Sequence, residues 1–192
     1  MPQPRKIMLI RHAERPAKVG SPYGSTIDGH KDVNSLSAPG WQRAGALASY
    51  FAPAHGPLQD DDIATPRFLF ASKVGTLSPS KREQETLTPL GDVLGLNISA
   101  EHQKQDHAPM VKSALACDGF VLICWDHKFL PVVANEILGN DTTAPQKWKK
   151  KRFDLVWVFD WNSSTDSYDF RQIPQLLLAG DKESGIKAKK TH

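Results

Sequence analysis

An arginine and a histidine follow directly on a buried-strand pattern near the amino terminus. Arg11 and His12 come immediately after the apolar run 7–10. In an α/β sheet the carboxyl ends of the strands form the crevice where ligands bind, so a reactive pair there favours chemistry over a structural role. An arginine guanidinium matches the oxygens of a phosphate, and an imidazole with a free ring nitrogen can attack phosphorus. The pair therefore predicts phosphoryl chemistry at the end of the first strand.

Two later segments repeat the arrangement of an apolar strand followed by polar side chains. Arg82 lies where the strand pattern at 68–71 gives way to a helical pattern. Asp126 and His127 follow a third apolar run directly. Because the carboxyl ends of parallel strands meet at one edge of a sheet, we expect these side chains to share a pocket with the first pair.

These three segments, in this order, resemble those of the histidine phosphatase superfamily, which is also called phosphoglycerate mutase-like. The second of them matches the family's arginine segment, except that Glu85 stands at the position of a glutamine. The third has Asp126 before its histidine, where common members have glycine. The segment 36–44 is similar to the family pattern Leu-Thr/Ser-x-x-Gly-x-x-Gln-Ala at the start of the first helix.

Each polar residue receives a role from phosphoryl-transfer chemistry and from the resemblance. Arg11 and Arg82 would clamp the phosphate and neutralise charge on its equatorial oxygens. The resemblance implies that His12 forms a covalent phosphohistidine, which water then hydrolyses, and that His127 hydrogen-bonds the transferring group. Arg15 falls at the spacing of a further arginine in the large-enzyme branch of the family, so it is either a third phosphate ligand or a surface residue.

The general acid that protonates the leaving oxygen is open to several assignments. The large-enzyme branch places an aspartate directly after the second histidine, but this chain has Lys128 there. Asp126 lies at the same strand end and is our first choice. The alternatives are Glu101, Asp106 and Glu14, since a sequence gives neither the reach nor the pKa that an acid needs.

Three functions are compatible with this reading. The first is a metal-independent phosphatase, without a cofactor, that hydrolyses a phosphomonoester of a small molecule or a phosphorylated protein. The second is a phosphoglycerate mutase-like phosphotransferase, and the third is a non-catalytic module that binds phosphate. A metallohydrolase using His12, His127 and Asp126 is disfavoured, because no pair of ligands has the spacing of a helical metal motif.

The periodicity of the chain predicts an α/β fold, a three-layer sandwich whose mostly parallel sheet carries helices on both faces and an antiparallel C-terminal edge hairpin. The expected strands are 6–10, 68–71 and 119–124, the helices 39–51, 80–94 with a bend at Pro89, 108–116 and 129–138, and the hairpin strands 154–161 and 168–172. We expect one domain over residues 1–180 and an unordered basic tail over 181–192. The polar stretch 20–34 is either a loop over the site or a surface excursion.

Composition restricts the class of protein further. The chain has 192 residues and a net charge of +3. This length predicts one domain that buries its core without disulfides or structural metal ions. Cys117 and Cys124 predict small buried side chains in a reducing compartment, and neither a membrane span nor a signal peptide is evident, so we expect a cytoplasmic protein. The basic run 147–152 suits a solvated surface that steers anions, and no motif accompanies it that would favour nucleic acid. The oligomeric state is not predicted.

Overall fold

In a computed structural model, the structure describes residues 3–76 and 78–187 of the chain. Within these ranges the chain forms six strands and four helices that alternate through most of its length. The elements are β1 (Lys6–Arg11), α1 (Ala38–Phe51), β2 (Phe68–Ala71), α2 (Arg82–Leu94), β3 (Ile98–Ser99), α3 (His107–Leu115), β4 (Phe120–Trp125), α4 (Leu130–Leu138), β5 (Leu155–Asn162) and β6 (Ser167–Pro174).

The six strands form one sheet in the order β3-β2-β4-β1-β5-β6. The first four strands of that order are mutually parallel, whereas β5 runs antiparallel to both β1 and β6. Arg11 is in register with Trp125, and Ala71 with Cys124. The carboxyl ends of β1, β2 and β4 therefore meet at one edge. The predicted parallel sheet with an antiparallel edge hairpin is confirmed.

The alternating side chains of β1 divide the core into two layers. Ile7 and Leu9 pack with the apolar faces of α3 and α4, while Met8 and Ile10 pack with those of α1 and α2. All four side chains are fully buried. Because successive residues of a strand point to opposite faces, a continuous apolar run here means helices on both sides. The result is the predicted three-layer sandwich.

The aromatic residues of the hairpin belong to the core. Trp157 and Phe159 are fully buried, and the Trp157 ring lies 4.7 Å from that of Trp148, centroid to centroid. Trp161, next on the same face of β5, is half-buried and packs against Tyr168. Because Trp148 belongs to the basic run 147–152, these aromatic contacts pack the loop that carries this run against β5.

Helix α1 begins where the sequence places its start. The Ser37 side chain accepts the Gly40 amide hydrogen, and Pro39 lies in the first turn. A Cβ atom at Gly40 would come within 2.4 Å of the Glu14 carbonyl oxygen, so only glycine allows the helix to approach the turn after β1 this closely. The glycine of the 36–44 segment thus serves a packing need.

The differences from the predicted elements are small and have local causes. Helix α2 runs without interruption through Pro89, although the proline removes one hydrogen bond. Strand β3 consists of only two residues, too few to produce an alternating pattern in the sequence.

The carboxyl-terminal segment is ordered for longer than expected. Asp181 forms an ion pair with Arg43 of α1, at 2.7 Å from Nη2 to Oδ1, and Ile186 is only 3% exposed within the core. Residues 181–187 therefore pack against the domain rather than forming a free tail, because a buried cation and an apolar contact hold them. The rest of the predicted tail, 188–192, lies outside the described residues. Among the helices described, none has the length and apolarity to cross a membrane.

Candidate active site

The turns after two neighbouring parallel strands bring the predicted site residues together. His12 follows β1 directly and Asp126 follows β4 directly, while Arg82 is the first residue of α2. One ring nitrogen of His12 and one carboxylate oxygen each of Glu83 and Asp126 lie within 4.8 Å of one another. The convergence predicted from the three segments therefore exists in the fold.

His12 is held as a neutral imidazole with one free nitrogen. Its Nδ1 atom lies 2.7 Å from the Ala13 carbonyl oxygen, which can only accept, so Nδ1 carries the hydrogen and Nε2 the lone pair. The side chain is 3% exposed. This burial lowers the pKa of His12 to about 4, although the Glu83 carboxylate acts in the opposite direction. At neutral pH the ring is therefore unprotonated at Nε2, and its lone pair is free.

Helix α2 fixes the turn that carries His12. The Ala13 amide donates to Thr86 Oγ1 at 2.9 Å, and that hydroxyl in turn donates to the Arg82 carbonyl. Glu85 accepts the Leu36 amide hydrogen at 2.8 Å. The glutamate at the family's glutamine position therefore joins the segment before α1 to the start of α2, which sets the walls of the site.

Arg11 is a buried cation beside His12. Its guanidinium carbon lies 4.0 Å from the centroid of the Phe153 ring, and Nη1 donates to the carbonyl oxygens of Lys150 and Arg152. Burial lowers the pKa of Arg11 to about 10, so it stays charged at neutral pH. The basic run is thus more than a solvated surface, because its backbone holds Arg11 and its last member, Arg152, is buried in an ion pair with Asp154.

Three buried nitrogen atoms of the predicted phosphate ligands have no hydrogen-bond partner among the described residues. They are Arg11 Nε, Arg82 Nε and His127 Nδ1. The last lies 3.3 Å from Asp126 Oδ1, without the alignment of a hydrogen bond. Unpaired buried donors are costly, and a bound oxyanion would satisfy them. All three belong to residues that the sequence selected as phosphate ligands.

Two charged residues that the sequence did not single out lie at the centre of the site. Glu83 is fully buried, accepts a hydrogen bond from Ser80 Oγ at 2.9 Å and, through its other oxygen, forms an ion pair with Lys104 Nζ at 2.8 Å. Lys104 Nζ is also 3.7 Å from Asp126 Oδ2. Burial would raise the pKa of Glu83, but His12 and Lys104 outweigh it and lower that pKa, so the carboxylate is ionised.

The sequence contains only a faint signal for these two residues. An acidic side chain in the first turn of a helix is favoured by the helix dipole wherever it points, so Glu83 does not stand out. Lys104 lies in the loop between β3 and α3, which has no regular pattern. Its burial depends on tertiary contacts with Glu83 and with the Trp125 indole, which donates to the Lys104 carbonyl at 3.1 Å.

The candidate acids differ sharply in position. Asp126 faces the site, whereas Glu101 and Asp106 are exposed, and both Glu14 oxygens accept hydrogen bonds from Arg43. Burial would raise the pKa of Asp126, but the neighbouring imidazole, backbone amide and ammonium groups outweigh it and hold that pKa well below its usual range. Asp126 is therefore ionised when no substrate is bound.

Arg15 does not reach into the site in this structure. It is exposed, and its Nη1 donates to the Pro16 carbonyl oxygen at 3.2 Å. Its charge is nevertheless among those that lower the pKa of Arg11. Both interpretations of Arg15, as a third phosphate ligand and as a surface residue, thus remain predictions.

A cleft of about 370 Å³ opens beside these residues. Its wall includes residues of the 20–34 stretch, since Asn34 lines it and Val33 accepts a hydrogen bond from Arg82 Nη1 at 3.2 Å. The end of this stretch, at Val33 and Asn34, therefore borders the cleft. The lining residues are Asn34, Ser78, Pro79, Ser80, Arg82, Lys104, Gln105, Asp126, Lys128 and Phe129.

The side chains of His12, Glu83 and Asp126 are of the types that bind metal ions. His12, Glu83 and Asp126 offer one nitrogen and two carboxylate oxygens at close range. The Lys104 ammonium, however, already lies between the two carboxylates and neutralises part of their charge. A metal ion would have to displace this ammonium. The two carboxylates therefore suit the buried Lys104 better than a bound metal ion.

The low pKa of His12 predicts how kcat/KM and stability change at acidic pH. Since the imidazole is neutral above about pH 4, kcat/KM, corrected for ionisation of the substrate, should fall only below that pH. Stability should also decline as the pH falls from about 6.5 towards 4, because the unfolded chain there binds a proton that the folded chain does not. A half-maximal kcat/KM near pH 6.5 would contradict the buried neutral state.

Comparison with known sequences gives no match, neither to a protein-family model nor to a curated protein. Solved structures do match. SixA from Agrobacterium tumefaciens, assigned as a phosphohistidine phosphatase, has a TM-score of 0.53 at 13% identity, with 88% of this chain and 96% of that chain covered. The mycobacterial glucosyl-3-phosphoglycerate phosphatase Rv2419c, in complex with VO3, has a TM-score of 0.51 at 14% identity, with 88% and 97% covered. SixA from Nakamurella multipartitia gives 0.50 at 14%, with 87% and 93% covered. At such identities the match establishes the fold.

Proposed function

We propose that this chain, which has the fold of the histidine phosphatase superfamily, is a metal-independent phosphatase that hydrolyses a phosphomonoester through a covalent phosphohistidine on His12. The observation that carries the proposal is the set of unpaired buried donors on Arg11, Arg82 and His127 around a neutral imidazole. Donors that have no partner in the protein suit an oxyanion, and the free ring nitrogen suits attack on its phosphorus.

In the first step the His12 Nε2 lone pair forms a bond to phosphorus, and the bond from phosphorus to the leaving oxygen breaks. Arg11 and Arg82 bind the equatorial oxygens, where charge spreads during transfer, and His127 donates a hydrogen bond to the same group. The Ala13 carbonyl keeps the hydrogen on Nδ1 and orients the ring. The leaving oxygen takes up one proton and departs as an alcohol.

In the second step a water molecule attacks phosphorus, and the bond between Nε2 and phosphorus breaks. The ring returns to its neutral form with its lone pair restored. The water gives one proton to the group that supplied one in the first step, so the site ends in its starting state. No metal ion or cofactor enters either step.

Asp126 is the proposed donor and acceptor of that proton. Without substrate its pKa is low because Lys104 and His127 lie beside it. A phosphate dianion brought close to Asp126 adds negative charge and competes for the same two neighbouring side chains, and both effects raise the pKa of a carboxyl group. Substrate binding thereby prepares Asp126 to carry the proton that the leaving oxygen needs.

The Asp126→Asn variant tests this role through the leaving group. We expect kcat for an alkyl phosphate to fall by about 100-fold, because an alkoxide leaves poorly without a proton. For an aryl phosphate with an acidic phenol, kcat should change by less than about 5-fold, since that leaving group needs little protonation. The matched control is Asp106→Asn, an exposed aspartate at the start of α3. Equal losses with both substrates would contradict the acid role.

The chemistry of the site indicates a broad class of substrate. The cleft presents Arg82, Lys104 and Lys128, which suits a phosphorylated small molecule or a phosphorylated protein side chain. Among the fold neighbours, one acts on glucosyl-3-phosphoglycerate and two are assigned to phosphohistidine. The free thiols Cys117 and Cys124 are consistent with work in the reducing cytoplasm.

Hydrolysis of an aryl phosphate in the presence of a chelator tests the proposed function. Turnover that persists with the chelator supports a metal-independent phosphatase. Transfer of the phosphate to an added alcohol or sugar phosphate in preference to water would favour the mutase instead. Tight binding of inorganic phosphate or vanadate with no turnover of several phosphomonoesters between pH 4 and 8 would favour a phosphate-binding module.

A further inference from the structure

We infer that Glu83 is an electrostatic partner of the nucleophile: its buried carboxylate stabilises the positive charge that the His12 ring acquires as the phosphohistidine forms. The inference rests on the proposed phosphohistidine route and assigns a role to a residue that this route alone does not use. It concerns the step in which the ring changes from neutral to cationic.

The geometry places the carboxylate at the ring and keeps water away from it. Glu83 is 0% exposed, and an oxygen of its carboxylate lies within 4.8 Å of a ring nitrogen of His12. Ser80 Oγ donates to one of its oxygens at 2.9 Å, and the Lys104 ammonium forms an ion pair with the other at 2.8 Å. These two contacts fix its orientation, so the charge is in place before the reaction begins and needs no rearrangement.

The charge of the ring changes during the reaction in a way that this carboxylate favours. Before attack, Nδ1 carries a hydrogen and Nε2 a lone pair, so the ring is neutral. After Nε2 has bonded to phosphorus, the same ring holds a hydrogen and a phosphoryl group and is formally cationic. A cation buried without a counter-ion is strongly disfavoured, as the low pKa of His12 already shows for the protonated ring.

Lys104 explains why an anion in this position does not exclude the substrate. A lone buried carboxylate would repel a phosphate dianion, but the ammonium of Lys104 lies 2.8 Å from Glu83 and 3.7 Å from Asp126. Together with Arg11 and Arg82 it leaves the site with a net positive charge. Glu83 thus acts on the ring at close range, while the phosphate meets an excess of cations.

The test is the kinetic behaviour of Glu83→Gln with an aryl phosphate, followed as a pre-steady-state burst and at steady state. Glutamine keeps the shape and can still accept from Ser80, but removes the charge. We expect the rate of phosphoenzyme formation to fall by about 10- to 100-fold. KM should stay unchanged or decrease, because the variant removes an anion from beside the phosphate. A residue that only held the fold together would raise KM or lower stability instead.

Two further variants make the result specific. Glu136→Gln removes another partly buried carboxylate that pairs with a histidine, His107 at 2.6 Å; neither residue lines the cleft, so this variant should leave the kinetics unchanged. Glu83→Asp keeps the charge but moves it back by one methylene, so its rate should lie between those of wild type and Glu83→Gln. If Glu83→Gln does not fold, Glu83→Asp alone must show a slower burst without a higher KM.

The outcomes separate this inference from the proposed function. A wild-type burst that Glu83→Gln leaves within about 2-fold would overturn the role of Glu83 and leave the phosphohistidine route intact. A rise in KM without a slower burst would overturn it as well, since Glu83 would then serve binding. If His12→Ala retains the wild-type turnover, the phosphohistidine route fails first, and the role of Glu83 fails with it.

Discussion

Replacing His12 with alanine should reduce the hydrolysis of an aryl phosphate by at least about 10,000-fold, the loss expected when a covalent nucleophile is removed. In the structure a ring nitrogen of His12 lies within 4.8 Å of an oxygen of Glu83 and of Asp126, and the neutral ring leaves Nε2 free to attack phosphorus. The measurement is the initial rate at saturating substrate with a chelator present.

The matched control is His102→Ala, which removes a histidine in the loop near the cleft that hydrogen-bonds only Ser113. Only the side-chain contact with Ser113 is lost in this control, since the backbone carbonyl of His102 still accepts from Lys73. The control should retain the wild-type rate, and both variants should unfold at the temperature of the wild type within a few degrees. Residual turnover of His12→Ala within about 10-fold of wild type would show that another nucleophile or an activated water carries out the reaction.

Replacing Arg43 with methionine should lower the free energy of unfolding by about 3 kcal/mol, because it leaves two carboxylates near the interior without their cation. Arg43 is buried, forms a bidentate pair with Glu14 and donates to both oxygens of Asp181. These partners outweigh the cost of burial and raise its pKa. The loss should appear as a lower urea midpoint with an unchanged slope.

The stability that Arg43→Met loses should become smaller as the pH falls. Burial alone would raise the pKa of Asp181, but Arg43 and two backbone amides outweigh it and lower that pKa. The contribution of the ion pair is therefore complete above the ordinary carboxyl pKa of about 4 and is lost as the pH falls below it. The difference between wild type and Arg43→Met should narrow towards pH 3.

A surface arginine provides the comparison. Arg171 forms ion pairs with Asp62 and Asp160 but is partly exposed, so Arg171→Met should cost less than about 1 kcal/mol. Equal losses for Arg43→Met and Arg171→Met would contradict the view that the buried cluster fastens the carboxyl-terminal segment to the turn after β1.

The fold was predictable from the sequence because its strongest signals are local. The apolar run before Arg11, the capped start of α1 at Ser37 and the alternation in β5 each indicate one element, and every one of these elements occurs in the structure. The resemblance to the histidine phosphatases is confirmed at the level of the fold. Strand β3 escaped prediction, since two residues cannot show a period.

The candidate site was predictable in part, for a related reason. Residues that follow a strand directly, such as His12 and Asp126, are brought together by the topology of a parallel sheet. Glu83 and Lys104 were missed because their pairing joins a helix to an irregular loop, and only the packed chain brings them together. The ordered segment 181–187 was missed because its main polar anchor is one long-range partner, Arg43.

Trapping the covalent intermediate tests the central claim most directly. The protein is mixed with a phosphomonoester carrying a labelled phosphate and quenched in alkali within milliseconds, and the labelled residue is identified by mass spectrometry. The proposed mechanism predicts one alkali-stable, acid-labile phosphoryl group on His12 in the wild type and none in His12→Ala. Rapid turnover with no labelled protein at any time, or a label on another residue, would contradict it.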